Sequence, residues 1–338
     1  VFDAVYPWDV EKNTQLGREG AGFISVSASD PENLRGVSTD RLRRWEEASG
    51  RDQKEFYRTM MANGFPWCVV SVPVLSWAKK VFPNDGDAAA MEKLWNAIFK
   101  TVRVTEGGDA VEAWRAHCAY LDEMAGKLNA LQLKQVRYKN ALGTDVVVGL
   151  PEEHVWLAGA DSAKSGVRFV ANMPTEEVFS APKWDAVDGV LVASKPLALN
   201  GNVIEGIRLT LEHGRIVGIH ADTNEDVLRQ AIETDEGAHY LGEIALVPVD
   251  SPIAQSGLLF YNTLFDENAA CHFAFGQAYP ACVPNGDNLS EEELVRRGIN
   301  AVSNTHVDFM VGTEDLSITG MTKDGRDVVV FENGRFAL

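Results

Sequence analysis

Four short segments carry the side chains that could do chemistry. In ANMPTEEVFSAP, Glu176 and Glu177 are adjacent carboxylates between Pro174 and Pro182. In HYLGEIALVPV, Glu243 opens an apolar run from Ile244 to Val247. In LFDENAACHFAFGQAYP, Asp266 and Glu267 precede a segment dense in alanine and glycine that holds His272 and Tyr279. In NTHVDFMVG, His306 and Asp308 are two residues apart. Adjacent like charges repel unless a cation or water separates them. A carboxylate at the mouth of a buried strand is costly unless it is paired or metal-bound. On a strand, His306 and Asp308 point to one face and Val307 and Phe309 to the other, a natural way to offer one nitrogen and one carboxylate to a metal. If the alanine-rich segment is helical, His272 and Tyr279 share a face, and Glu267 joins them only if the helix begins after it.

Each segment taken alone also fits ordinary structure. Glu176 and Glu177 suit a solvated loop, Glu243 a wet strand end, His272 a hydrogen-bonded core histidine, and His306 a simple pair with Asp308. Together they supply imidazoles, carboxylates and a phenol from sequence-distant places. Mixed imidazole and carboxylate ligands suit Zn, Co or Mn better than Ca or a thiolate site. Several carboxylates beside two histidines can hold two cations about 3.5–4 Å apart, the usual hydrolytic arrangement.

The elements that must position these groups differ between the two parts of the chain. Before about residue 132 the pattern is α/β. Gly22–Ser29 and Trp67–Leu75 read as strands, the second as a buried one. Residues 40–60, 88–102 and 109–131 read as helices, with Leu94, Ile98 and Val102 at helical spacing. After residue 132 strands dominate. VRYKNALGTDVVVGL reads as two strands around a turn, and His213–Gly214 and Asn333–Gly334 mark hairpins. Helices are expected near Thr223 and at Ser290, where Glu293 three residues on makes a capping box. The expected fold class is therefore α/β followed by α+β, with domains 1–131 and 132–338.

Composition narrows the function further. A chain of 338 residues suits two domains, and an apolar fraction of 45% supplies ample core. The net charge of −18 argues against nucleic acid and against anionic membranes as partners. No apolar run reaches the roughly 18 residues needed to cross a bilayer. The opening VFDAVYPWDV has neither the basic flank nor the apolar core of a signal peptide. Four cysteines without a CxxC pair suggest a reducing compartment, hence the cytoplasm. GxGxxG, Walker A, GxSxG and HExxH motifs are all absent, which removes four common enzyme classes.

Read in order, MPTEEVFSAP, LGEIALVP, DENAACHFAFGQAY and HVDFMVG resemble the M29 family of metallo-aminopeptidases. FPWCVVSVP and WAKKVFP extend the likeness into the first part of the chain. The resemblance implies a two-domain fold with the metals in the C-terminal domain, and a homodimer enclosing a cavity. It places metal ligands at Glu177, Glu243, His272, His306 and Asp308, with Glu267 as a further ligand. It matches Tyr279 to the family's site tyrosine and GTEDLSITG to its closing strand. Family members usually begin with several dozen more residues, so this chain is expected to enter the N-terminal domain partway.

The implied reaction is removal of N-terminal residues from peptides with a free amine. Two divalent cations, zinc first and cobalt or manganese as alternatives, would share Glu243. Glu176 is the first candidate for general base, and Tyr279 for the oxyanion donor. Competing readings are another two-metal amide hydrolase, a carboxypeptidase or deacylase, and a non-catalytic metal-binding assembly protein.

Overall fold

Helices dominate before residue 132 and strands after it. The computed structural model describes residues 3–338, apart from the side chains at positions 39, 40, 43 and 46. Val1 and Phe2, which open the stretch considered above for a leader, lie outside the described residues. The first part contains α1 (Pro7–Arg18), α2 (Thr39–Asp52), α3 (Lys54–Met61), α4 (Leu75–Val81), α5 (Asp87–Thr101) and α6 (Ala110–Leu131). Strands β1 (Phe23–Ser27) and β2 (Trp67–Ser71) pair in parallel.

Two expectations change here. The helix expected over 40–60 is two helices, because Gln53 leaves helical geometry and the Asp52 carboxylate accepts the Val5 N–H instead. The strand expected over 67–75 stops at Ser71 and is half-buried along most of its length. Pro73 has no N–H to continue a ladder, and Leu75 already opens α4.

Helix α6 shows why its sequence folds as it does. The Asp109 side chain accepts from the N–H groups of Val111 and Glu112, capping the start. Trp114, Cys118, Leu121, Met124, Ala125 and Leu128 recur at three- and four-residue spacing and are buried.

Two antiparallel sheets follow. The larger runs in the order β13 (Arg215–His220), β12 (Arg208–Glu212), β9 (Val187–Val192), β4 (Asp145–Gly149), β3 (Leu133–Lys139), β17 (Ser317–Thr322), β18 (Asp327–Glu332) and β19 (Arg335–Phe336). The smaller runs in the order β16 (His306–Met310), β15 (His272–Gly276), β14 (Leu241–Leu246), β8 (Val178–Ser180) and β5 (Leu157–Ala158). Two short pairs complete the strands, β6 (Asp161–Ser162) with β7 (Arg168–Phe169), and β10 (Leu197–Leu199) with β11 (Asn202–Ile204). The turns at His213–Gly214 and Asn333–Gly334 close hairpins, each with both residues at positive φ.

The helix expected near Thr223 is α7 (Glu225–Ile232), which starts later because Asn224 is left-handed. A one-turn helix, α8 (Thr263–Asp266), precedes β15. The capping box at Ser290 and Glu293 is formed and opens α9 (Glu291–Arg297).

The faces of the two sheets share one core. Tyr138 and Val148 of the larger sheet pack with Ile244, Phe273 and Phe309 of the smaller, and Leu121 and Leu128 of α6 join them. A second core joins Trp77, Leu94 and Ile98 to Ile253, Phe260 and Phe265. Trp77 also donates its indole N–H to the Phe260 carbonyl at 2.5 Å. Both cores therefore cross the expected boundary at 131/132.

Candidate metal centre

The smaller sheet arranges the chemical groups by strand alternation and register. Glu243 on β14 and Asp308 on β16 both stand opposite Ala274 on β15. His272 and His306 lie two residues from those pairing positions, so all four side chains share one face. Phe179 on β8 opposes Ala245, which brings Glu177, two residues before it, to the same side. The intervening Ile244, Phe273, Phe275, Val307 and Phe309 point the other way, into the core. His272 is thus on a strand and not on the helix expected from its alanine-rich surroundings. The alternation of His272, Ala274 and Gly276 with Phe273 and Phe275 is the period-two signal that marks it.

A register shift in β14 between Leu241 and Glu243 re-aims Glu243. Gly242 permits it, since a Cβ there would meet the Gly276 and Gln277 carbonyl oxygens at 2.4 and 2.5 Å.

Two ligand-like triads result, Glu177–Glu243–His272 and Glu243–His306–Asp308, with Glu243 in both. His272 Nε2 lies 3.1 Å from Glu177 Oε2 and 3.7 Å from Glu243 Oε1. His306 Nε2 lies 3.2 Å from Glu243 Oε2 and 3.4 Å from Asp308 Oδ1. The Nδ1 atoms are occupied elsewhere, at 3.1 Å from the Ala270 carbonyl and 2.7 Å from the Gln277 carbonyl. These contacts assign the Nδ1–H tautomer to both rings and turn the Nε2 lone pairs toward carboxylate oxygens. Lone pair facing lone pair is repulsive unless a proton or a cation lies between. Glu177 Oε2 is fully buried and accepts no hydrogen bond. The set therefore fits divalent cations with mixed nitrogen and oxygen ligands.

Without a cation the site is electrostatically strained. Burial pushes the Glu177 carboxyl up, partly offset by His272. It pushes Glu267 up further, reinforced by the charges of Asp308 and Glu177. Burial would raise Glu243 too, but the flanking imidazoles of His272 and His306 hold it at about 2. Burial works to lower both histidines, and the surrounding carboxylates override it and push them well above their usual range.

The cavity over the triads encloses about 150 Å³ and also exposes Glu267 and Tyr279. That is room for ions, water and one end of a small molecule, not for folded chain. Met61, Asn63 and Trp67 from the first part of the chain line its wall. The Tyr279 ring lies 5.2 Å from His306 and 5.7 Å from Phe179. Burial and then the negative charges of Glu243 and Asp308 push its phenol well above the ordinary range, so it keeps its proton. Glu267 belongs to neither triad. Its neighbour Asp266 does not enter the cavity and instead accepts the Phe260 and Asn262 N–H groups at 2.7 and 3.0 Å.

Glu176 is the one expected site residue that stays apart. Its carboxylate accepts two hydrogen bonds from Arg103, at 2.6 and 2.8 Å, and is absent from the cavity wall. Consecutive residues of extended chain point oppositely, so Glu177 faces the cavity and Glu176 the helices. The general-base expectation for Glu176 is revised on that ground. Sequence reading missed Arg103, His117 and Asn268, the partners around Glu176. No spacing signal links them, since Arg103 lies 73 residues away.

The sequence profile of the family described as "Thermophilic metalloprotease (M29)" matches residues 1–336. The chain is 46% identical over 336 residues to "Aminopeptidase AmpS" of Bacillus subtilis (strain 168), covering 99% of this chain and 81% of that protein. It is 41% identical over 341 residues to "Aminopeptidase T" of Thermus thermophilus, covering 100% and 81%. The solved structure of "Wild-type AmpT from Thermus thermophilus" superimposes with a TM-score of 0.91 at 40% identity, again covering 100% and 81%.

Proposed function

The chain belongs to the M29 peptidase family, and from that premise we propose that it is a metal-dependent aminopeptidase using two divalent cations. The observation that carries the two-cation reading is the place of Glu243 in both triads. One cation would be held by Glu177, Glu243 and His272, the other by Glu243, His306 and Asp308. When bound, such cations supply a Lewis acid for the peptide carbonyl and lower the pKa of a ligated water toward neutrality.

The protein's own groups then divide the remaining work. His272 and His306 are held in one tautomer by backbone carbonyls. Tyr279, retaining its phenol proton, donates to the oxygen on which charge builds in the transition state. Cavity carboxylates receive the ammonium of a free N-terminus. With Glu176 held by Arg103, a proton carrier must come from the cavity itself. Glu267, outside both triads, is available for that role or as a further ligand.

Zinc is the first metal to test, with cobalt and manganese next, because all three accept imidazole and carboxylate. We further propose a homodimer acting on peptides in the cytoplasm. Among the described residues no helix is long and apolar enough to cross a membrane.

The test is hydrolysis of a free-amine peptide and its N-acetylated twin, with and without chelator. Cleavage of the free peptide alone, lost on chelation and restored by zinc or cobalt, is the expected result. Equal cleavage of both twins would replace the aminopeptidase by a general metalloamidase.

A further inference from the structure

The residues leading into Glu177 are tethered on several sides. His117 Nε2–H donates to the Thr175 carbonyl at 2.8 Å. The Glu176 N–H donates to Asn268 Oδ1 at 2.7 Å. Arg103 Nη1 and Nη2 donate to Glu176 Oε1 and Oε2 at 2.6 and 2.8 Å. Arg103 Nη2 also donates to His117 Nδ1 at 3.0 Å, so His117 is neutral; burial, then the Arg103 charge, lowers it to about 4. The guanidinium lies 5.4 Å from the Trp114 ring of α6. Arg103 itself lies two residues past the end of α5, with a left-handed φ of 58°. The side chains of Arg103 and Glu176 are 18% and 3% exposed.

Stability is a weak reason for this arrangement. Replacing a buried ion pair by apolar groups of like volume is often neutral or stabilising. What the pair adds is geometry, since a bidentate guanidinium fixes both the position and the plane of a carboxylate. Glu177 Oε2, one residue on, has no hydrogen bond of its own to hold it.

We propose that Arg103 is a positioning residue for the metal centre. Through Glu176 and His117 it pins the Thr175–Glu176 backbone, so that Glu177 enters the cavity at a fixed depth. Helices α5 and α6 thereby set the affinity of the site formed by Glu177, Glu243 and His272. The inference rests on the reading of Glu177 as a metal ligand.

The experiment measures zinc affinity by competition with a chromogenic chelator, and apo-protein thermal unfolding, on the full chain. The variants are Arg103→Met, Arg103→Lys, the double change Arg103→Met with Glu176→Met, and Glu177→Ala as a reference. Arg103→Met is expected to weaken one bound zinc by about 10–100-fold, the range typical of groups that orient ligands, and Arg103→Lys by less. The double variant leaves no buried charge unpaired, so it should fold with a parent-like apo Tm yet bind zinc as weakly as Arg103→Met. If Arg103→Met does not fold, the double variant and Arg103→Lys carry the test. Parent-like zinc affinity in those folded variants, with Glu177→Ala impaired, overturns the positioning role alone. Parent-like affinity in Glu177→Ala overturns the ligand reading beneath it.

Discussion

His272 Nε2 and Glu177 Oε2 lie 3.1 Å apart in the buried floor of the cavity, yet Glu177 Oε2 has no hydrogen-bond partner. A bound cation would satisfy both atoms. Chelation is therefore expected to lower the Tm, and zinc or cobalt to restore it. A metal present at 100 times its Kd stabilises by about 2.7 kcal/mol if it binds only the folded state. Scanning calorimetry with and without chelator checks this, and an unchanged Tm would exclude a structural contribution from the metal.

The metal-free protein should be most stable at about pH 4.5 and lose stability as the pH moves away in either direction. His272 and His306 have raised folded values, so their contribution is full below the unfolded value near 6.5 and is lost as pH rises through the folded ones. Burial of Glu177 and Glu267 acts in the same direction but already from about pH 4.5 upward, because ionising them in the folded state is unfavourable. Glu243 is held at about 2, so its contribution is present above about 4.5 and lost as pH falls toward 2. Denaturant midpoints of the chelated protein across pH 3–9 report the maximum. A midpoint that keeps rising to pH 9 would contradict the assigned shifts.

Tyr279→Phe should retain zinc and fold normally while kcat falls by about 10²–10³, the usual cost of removing an oxyanion donor. Metal analysis beside steady-state kinetics separates the alternatives. Loss of zinc in this variant, which keeps the ring and removes only the hydroxyl, would mean that the hydroxyl serves the metal site and that the oxyanion role is wrong.

Glu243→Ala removes a member of both triads and should lose both ions together with activity. Asp308→Ala removes a member of one triad and should retain one ion. Equal metal content in the two variants would sink the sharing of Glu243.

Glu267→Gln distinguishes two roles for a carboxylate outside the triads. Retained zinc with a large fall in kcat identifies a proton carrier. Lost zinc identifies a ligand.

Much of this site was legible from residue types on single strands. The His306-x-Asp308 pair needs only alternation to place both groups on one face, and the structure does so. Asn333–Gly334 and Ser290 with Glu293 are local chemistry, and both elements form as read. His272 was harder, because alanine and glycine blur the period-two signal that its phenylalanine neighbours carry. Glu176 shows where sequence reading stops. Adjacent glutamates look equivalent until a partner 73 residues earlier selects one of them. The cores that join Leu121 to later strands, and Leu94 to the loop and short-helix residues Ile253, Phe260 and Phe265, are likewise tertiary facts, without a local periodicity to announce them.

The five strands beneath the site stand in the sheet in the order in which a ribosome makes them. A nascent chain can add each strand to the previous one without waiting for a distant segment. Docking of β14 on β8 then brings Glu177 near Glu243 before β15, which carries His272, has joined β14, and before His306 and Asp308 arrive on β16. If the strands pair in that order, synthesis passes through a stage with two apposed acids and no imidazole between them. A cation present at that stage would relieve the repulsion, whereas one supplied later meets a chain that has already had to bury it. Chelator added during cell-free translation should accordingly cost more folded product than the same chelator added afterwards, which makes metal supply at the time of synthesis a determinant of yield.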